Sequence, residues 1–166
     1  ILSFFYTNED IANSQYNLGW MYSIGQGVPQ NDGTALTWYK LAAERGISLA
    51  QNYLGNTYHI GEGVPQNYKI AFKWYVLAAE QGSAAAQYKL GTMYSKGQGT
   101  LQDHTHAHMW FNIAASLGYE GARKERNMVE KKMSPTQIMK AQNIASMCIE
   151  NNYKGCQENK PWWMFW

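Results

Sequence analysis

The chain has 166 residues, 45% of them hydrophobic and only 16% charged, with a formal net charge of +2. That length supports a sizeable buried core, and that composition excludes an intrinsically disordered chain. So weak a net charge argues against a dedicated nucleic-acid surface, and no apolar run approaches the roughly 18 residues of a membrane span.

The opening Ile1-Leu2-Ser3-Phe4-Phe5-Tyr6 is apolar, short and without a basic start. It reads as the stub of a trimmed export signal or as the edge of a longer chain, in keeping with the missing initiator Met. From residue 12 onward the chain repeats with a step of 36 residues: Trp38, Trp74 and Trp110, each followed by an aromatic, Tyr39, Tyr75 and Phe111. Periodicity of this kind marks stacked structural units.

In the first unit, a helix runs through Leu18, Gly19 and Tyr22 and stops at Gly25-Gln26-Gly27-Val28-Pro29-Gln30. There the glycines permit left-handed backbone and Pro bars helix continuation. A second helix is expected over 32–44, with Ala35, Trp38, Tyr39 and Ala42 on one face at spacings of three and four. Gly46 ends it. The second unit repeats the pattern with Leu54-Gly55, Tyr58, the loop Gly61 to Gln66, a helix over 68–80 containing Ala78-Ala79, and Gly82. The third does so with Leu90-Gly91, Tyr94, Gly97 and Gly99, a helix over 104–116 containing Ala114-Ala115, and Gly118. Its loop departs from the others by carrying Thr100-Leu101 where they carry Val-Pro. Small residues let paired helices approach, and the large aromatics wedge between hairpins. Each buried Trp or Tyr removes about 150–250 Å² from water, an upper estimate of roughly 4–6 kcal/mol. A lone hairpin cannot bury such a face, so the units must stack.

After Gly118 the pattern degenerates. Ala122 keeps the column of Ala50 and Ala86, but no Trp-Tyr pair follows. Arg123, Lys124, Arg126, Lys131 and Lys132, interleaved with Glu125 and Glu130, read as a solvated helix face. Ser134-Pro135 is an N-cap followed by Pro at the first helical position. It opens a last helix over 135–151 with Ile138, Ala141, Ile144, Ala145 and Cys148 on one side. This is a terminal cap. The expected layout is one domain over 1–158, with repeats 12–47, 48–83 and 84–119, a cap over 120–158, and an aromatic tail over 159–166. Large apolar residues at a free end seek cover. Trp162, Trp163, Phe165 and Trp166 are therefore expected to pack on the last helix or to mediate self-association.

These columns together (a small leading residue, Leu-Gly-x-x-Tyr, Gly-x-Gly-Val, an acidic or amide position, Ala-x-x-Trp-Tyr, Ala-Ala and Gly) resemble the Sel-one-like repeat (SLR) family, a relative of the tetratricopeptide repeats. Ala50 and Ala86 fill the leading position, and Ser14 replaces Ala in the first unit. The resemblance spans residues 12 to 150. It implies an all-α fold, a right-handed α/α superhelix of helix-turn-helix repeats with a concave face, and work as a scaffold or adaptor that binds a peptide or partner protein. Cysteine-rich SLR proteins also suggest an alternative, a secreted enzyme of β-lactamase or penicillin-binding type. No serine with an adjacent lysine in the relevant arrangement is evident in the sequence, and no catalytic residue is assigned.

Three further features concern sites. His104 and His108 are four apart on a helix and could share a cation, while His106 points away. Since His108 falls in the column of Leu36 and Phe72 and no acidic or thiolate ligand is assured, neither a metal site nor a cofactor is expected. Cys148 and Cys156 meet if Asn151-Asn152 turns the chain, and otherwise stay reduced in a core. The family resemblance favours a disulfide and an oxidising, periplasmic or secreted setting. Finally, about 100° per residue puts Tyr16, Trp20 and Ser23 opposite Leu18 on the first helix. Asn52, Asn56 and His59, then Tyr88, Thr92 and Ser95, repeat that stripe. Of these, Tyr16, Trp20, Asn52, Asn56, His59 and Tyr88 are the candidate partner-binding residues.

Overall fold

The structure, a computed structural model, describes residues 7–156 as eight α-helices, and no strand occurs among those residues. They are α1 (Asn8–Ile24), α2 (Asp32–Glu44), α3 (Ser48–Ile60), α4 (Tyr68–Ala79), α5 (Ala84–Lys96), α6 (His104–Ser116), α7 (Ala122–Glu130) and α8 (Pro135–Glu150). The all-α class and the helical-hairpin repeats expected from the sequence are thereby established. The aromatic tail, with Trp162, Trp163, Phe165 and Trp166, lies outside the described residues. The chain divides into two compact units, Ile1–Ala78 and Ala79–Trp166.

Local chemistry explains where the helices start and stop. Thr7 opens α1 with a reciprocal capping box: its hydroxyl accepts from the Asp10 N–H, and the Asp10 carboxylate accepts from the Thr7 N–H. Asn31, Asn67 and Asp103 cap α2, α4 and α6 by accepting backbone N–H groups of the first turn. The first helix of each hairpin ends on a left-handed glycine: Gly25, Gly61 or Gly97, with φ of 72°, 85° and 69°.

The loops share a further device. The side-chain amides of Gln30, Gln66 and Gln102 donate to the carbonyls of Ser23, His59 and Ser95 at 3.1, 2.8 and 2.7 Å. The backbone N–H groups of Asn31, Asn67 and Asp103 likewise bond the carbonyls of Tyr22, Tyr58 and Tyr94. Thr100-Leu101 therefore makes the same turn as Val-Pro. The glycine and the glutamine direct it, and Pro is not required.

In the first unit, Ala35, Tyr39, Ala42, Ala43, Ala50 and Leu54 form a buried cluster, with Tyr16, Tyr22, Leu36, Ile47 and Trp74 packed against it. Trp74, on α4, thus wedges against the core of α2 and α3, as expected. The partition within each Trp-aromatic pair is nevertheless uneven. Tyr39, Tyr75 and Phe111 are all buried, whereas Trp38 and Trp74 are half-buried and Trp110 alone of the three is fully covered. The second aromatic closes each hairpin because it seats directly on a glycine of the first helix: Gly19, Gly55 or Gly91.

A second column escaped the sequence reading. Gln51 and Gln87, one repeat apart, are buried, and their amides donate to the carbonyls of Ala43 and Ala79, at the end of the preceding hairpin. Each links one hairpin to the next through a polar bond shielded from water. The step of 36 residues was the available signal, since Gln15 occupies the same column.

In the second unit, α5 and α6 form a hairpin whose Leu90, Met93, Met109, Trp110, Phe111 and Ile113 are buried. The last two helices, α7 and α8, contribute Ala122, Val129, Ala141, Ala145 and Cys148 to the buried set. Ser134 and Gln137 form the capping box of α8, with Pro135 at its start. Past Glu150 the chain turns through Asn152 and Tyr153, both with positive φ. The N–H groups of Asn152 and Tyr153 bond the carbonyls of Ile149 and Cys148. The turn brings Cys156 onto Cys148 as a disulfide with Cα atoms 5.2 Å apart.

Candidate partner-binding surface

The first helix of each hairpin presents the sequence-derived stripe, and the structure shows how its members are held. On α1, Tyr16 is half-buried with its ring centroid 5.5 Å from that of Tyr39, whereas Trp20 remains 45% exposed. Ser23 donates its hydroxyl hydrogen to the Trp20 carbonyl. On α3, Asn56 accepts a hydrogen bond from the Tyr75 hydroxyl at 2.8 Å, and the His59 ring sits edge-on to Tyr68 and Tyr75. Asn52, on the same helix, is half-buried, and its Oδ1 is shielded from solvent and meets no donor among the described residues. On α5, in the second unit, Tyr88 packs 5.5 Å from Phe111 and stacks on Tyr119 at 4.9 Å.

The stripe is thus anchored from beneath by the same buried aromatics that close the hairpins. Tyr53 adds a ring the sequence gave no reason to include, 4.1 Å from Tyr39. It stands in the column of Asn17 and Lys89, so the repeat pattern carries no hint of it. Tyr119 is missed for the same reason. Burial raises the phenol pKa of Tyr16, Tyr53 and Tyr88, with neighbouring tyrosines or carboxylates adding to the effect. The three therefore remain neutral hydroxyl donors at physiological pH. Chemically, the first-helix surface offers rigid aromatic faces, phenol hydroxyls, amides and an imidazole, with no Asp, Glu, Lys or Arg among its six candidates.

The histidines go elsewhere. His106 is buried, stacks on Tyr94, and places Nδ1 2.7 Å from Asp103 Oδ2. Burial alone raises the Asp103 carboxyl pKa, but bonds from His106 and the Thr105 N–H outweigh it and hold Asp103 below its ordinary value. Burial, reinforced by the Asp103 charge, pushes the Tyr94 phenol up to about 12. His108 is fully buried, with Nε2 2.9 Å from Glu130 Oε1, a contact between α6 and α7 across 22 residues of sequence. His104 and His108 share no ligand set: no three His, Cys, Asp or Glu side chains gather in metal-binding geometry among the described residues. The serines of this region turn to the backbone. Ser14, Ser23, Ser48, Ser95, Ser116 and Ser146 donate to carbonyls, and Ser83 and Ser134 cap helices.

The Sel1 repeat family model matches residues 12–47, 48–83 and 84–119, the registers set by the tryptophan and glycine columns. A solved Sel1 repeat protein from Oxalobacter formigenes is 39% identical, with a TM-score of 0.68 over 72% of this chain and 92% of that one. The structure of c5321, a protective antigen present in uropathogenic Escherichia coli strains displaying an SLR fold, is 27% identical with a TM-score of 0.63. That match covers 92% of this chain and 41% of the antigen chain. Among curated proteins none matches.

Proposed function

The chain belongs to the Sel1 repeat family, and we propose that it is a protein-binding module which engages a partner protein or peptide through exposed side chains of its first helices. Repeats of this family generally mediate protein–protein interaction and are generally non-enzymatic scaffold modules. The finer assignment, to Tyr16, Trp20, Asn52, Asn56, His59 and Tyr88, rests on one observation above the others. Trp20 leaves 45% of its surface in water on a helix whose neighbouring Tyr16 is held from below by Tyr39. An indole so placed is a ready anchor for a partner side chain, since Trp and Tyr carry much of the energy of protein interfaces. The Cys148–Cys156 bond supports work in an oxidising compartment.

Peptides selected from a random display library on the folded protein test the proposal. Replacing Trp20 by Ala should weaken their binding about tenfold or more. Replacing the still more exposed Leu101 of the third loop should leave binding within about twofold. Equal binding to wild type and Trp20→Ala would remove the stripe from consideration.

A further inference from the structure

Five of the fourteen basic residues fall within residues 123–132. The structure sorts them. Arg123, Lys124, Lys131 and Lys132 are exposed, as are Asn127 and Met128 between them. At about 100° per residue, Arg123, Lys124, Asn127, Met128 and Lys131 share one arc of about 140°. The two carboxylates of α7 fall outside that arc, and both are half-buried: Glu130 faces His108 and Glu125 lies near Tyr88. Arg126 is half-buried too and donates to Asn112 and Asn127. Among the described residues no ion pair engages Arg123, Lys124, Lys131 or Lys132. A face made only for solvation interleaves charges of both signs; within α7 this arc carries no acid, and the exposed Glu120 precedes the helix.

Local helix physics does not account for it. Lys131 and Lys132 suit the negative end of the α7 dipole, but Arg123 and Lys124 occupy its first turn, where a cation is unfavourable. Nor is that end relieved by a cap, since Gly121 has no side chain to offer and adopts a left-handed φ of 82°. Glu125 in the same turn complements the dipole, yet it is half-buried towards Tyr88, so Arg123 and Lys124 gain no ion pair from it.

The geometry points to a second docking surface, on the cap, for an acidic segment of a partner protein. Charge complementarity selects the occupant. From Arg123 to Lys131 the face is about 12 Å long, the reach of about four residues of extended chain. The Arg123 guanidinium takes a carboxylate in two-pronged fashion, and the lysines follow as point charges. Met128, 41% exposed, gives an apolar side chain of the segment somewhere to rest. A bilayer fits less well, because Met128 is the one apolar group within the arc and insertion needs a broad apolar face. The surface uses none of the six stripe residues and does not depend on their role.

Fluorescence anisotropy with a fluorescein-labelled deca-glutamate peptide tests the assignment on the full chain. Binding is expected at low ionic strength and should weaken as salt rises. The double variant Arg123→Glu, Lys124→Glu should bind about tenfold less tightly. Glutamates in the first turn favour the helix dipole, so this variant should keep or raise its melting temperature, which separates lost binding from lost folding. The control Lys69→Glu, Lys96→Glu makes the same change of net charge at exposed sites elsewhere and should bind as wild type does. Equal loss in both variants would reduce the effect to net charge and overturn the assignment. So would absence of peptide binding at low salt, or tighter association with phosphatidylserine vesicles than with the peptide.

Discussion

Tyr75 lies directly over Gly55, so close that a Cβ on Gly55 would come 2.5 Å from Tyr75 Cε1. The same relation joins Gly19 to Tyr39 at 2.8 Å and Gly91 to Phe111 at 2.7 Å. Glycine in a helix interior weakens the helix by about 1 kcal/mol relative to alanine, so the contact must return more than that. Gly55→Ala is expected to destabilise the protein by about 1–3 kcal/mol, overpacking outweighing the gain in propensity. Urea denaturation measures it, and Gly55→Ala with Tyr75→Leu should recover part of the loss. A stabilised single variant would show that the ring moves aside freely.

Gln87 donates from a fully buried amide to the Ala79 carbonyl. Gln87→Leu keeps much of the volume and deletes the bond, and should cost about 1 kcal/mol. Urea midpoints of the two proteins check this. An unchanged midpoint would mean that the carbonyl is content with its bond from the Gly82 N–H alone.

Leu101 is 87% exposed and occupies the place of Pro29 and Pro65 in a turn with the same hydrogen bonds. Its backbone therefore already suits proline. Leu101→Pro should stabilise the protein by about 0.4–1 kcal/mol by restricting the unfolded chain. A lower melting temperature would indicate that the third loop differs from the other two.

The Cys148–Cys156 bond closes a short loop, and within it Tyr153 lies against the turn between α4 and α5, near enough to be 3.3 Å from a Cβ placed on Gly82. Tyr153 holds a φ of 66°, which is strained for a bulky residue and persists only where its surroundings enforce it. Reduction, or Cys156→Ser, is expected to cost about 2–3 kcal/mol. Hydrogen exchange should quicken at residues 81–84 as well as at 150–156. Exchange that quickens only at 150–156 would separate the loop from that turn.

Asp103 caps α6 and holds His106, and its carboxyl pKa is lowered by folding. A lowered folded pKa contributes stability at pH values above the unfolded one, and the contribution disappears as pH falls through the folded value. Wild type should therefore lose stability below about pH 4. Asp103→Asn keeps the cap, as Asn31 and Asn67 do, but loses the charged bond to His106. It should be about 1 kcal/mol less stable at neutral pH, with the gap closing in acid. Urea midpoints across that range provide the test, and a gap that stays constant would rule the carboxylate out as the titrating group.

The repeat registers and the helix pairs were legible in the sequence. Helices over 32–44 and 104–116 were expected and found, and that over 68–80 ends one residue sooner, because Gly, Pro, Asn and aromatic columns act locally and recur at a fixed step. The same step would have exposed the Gln51 and Gln87 bridges. The stripe was legible by angle alone, but its split into an exposed Trp20 and half-buried Tyr16, Asn56, His59 and Tyr88 was not. Helical periodicity gives direction around one helix and says nothing of which ring from another helix lies beneath. Tertiary structure alone decided that Tyr39, Tyr75 and Phe111, rather than the tryptophans beside them, seat on the glycines. It alone paired His108 with Glu130 and laid Tyr153 against Gly82, contacts between segments far apart in sequence. Spacing is a local property of the chain, whereas burial belongs to the assembled helices, and only their packing assigns each side chain its share of water.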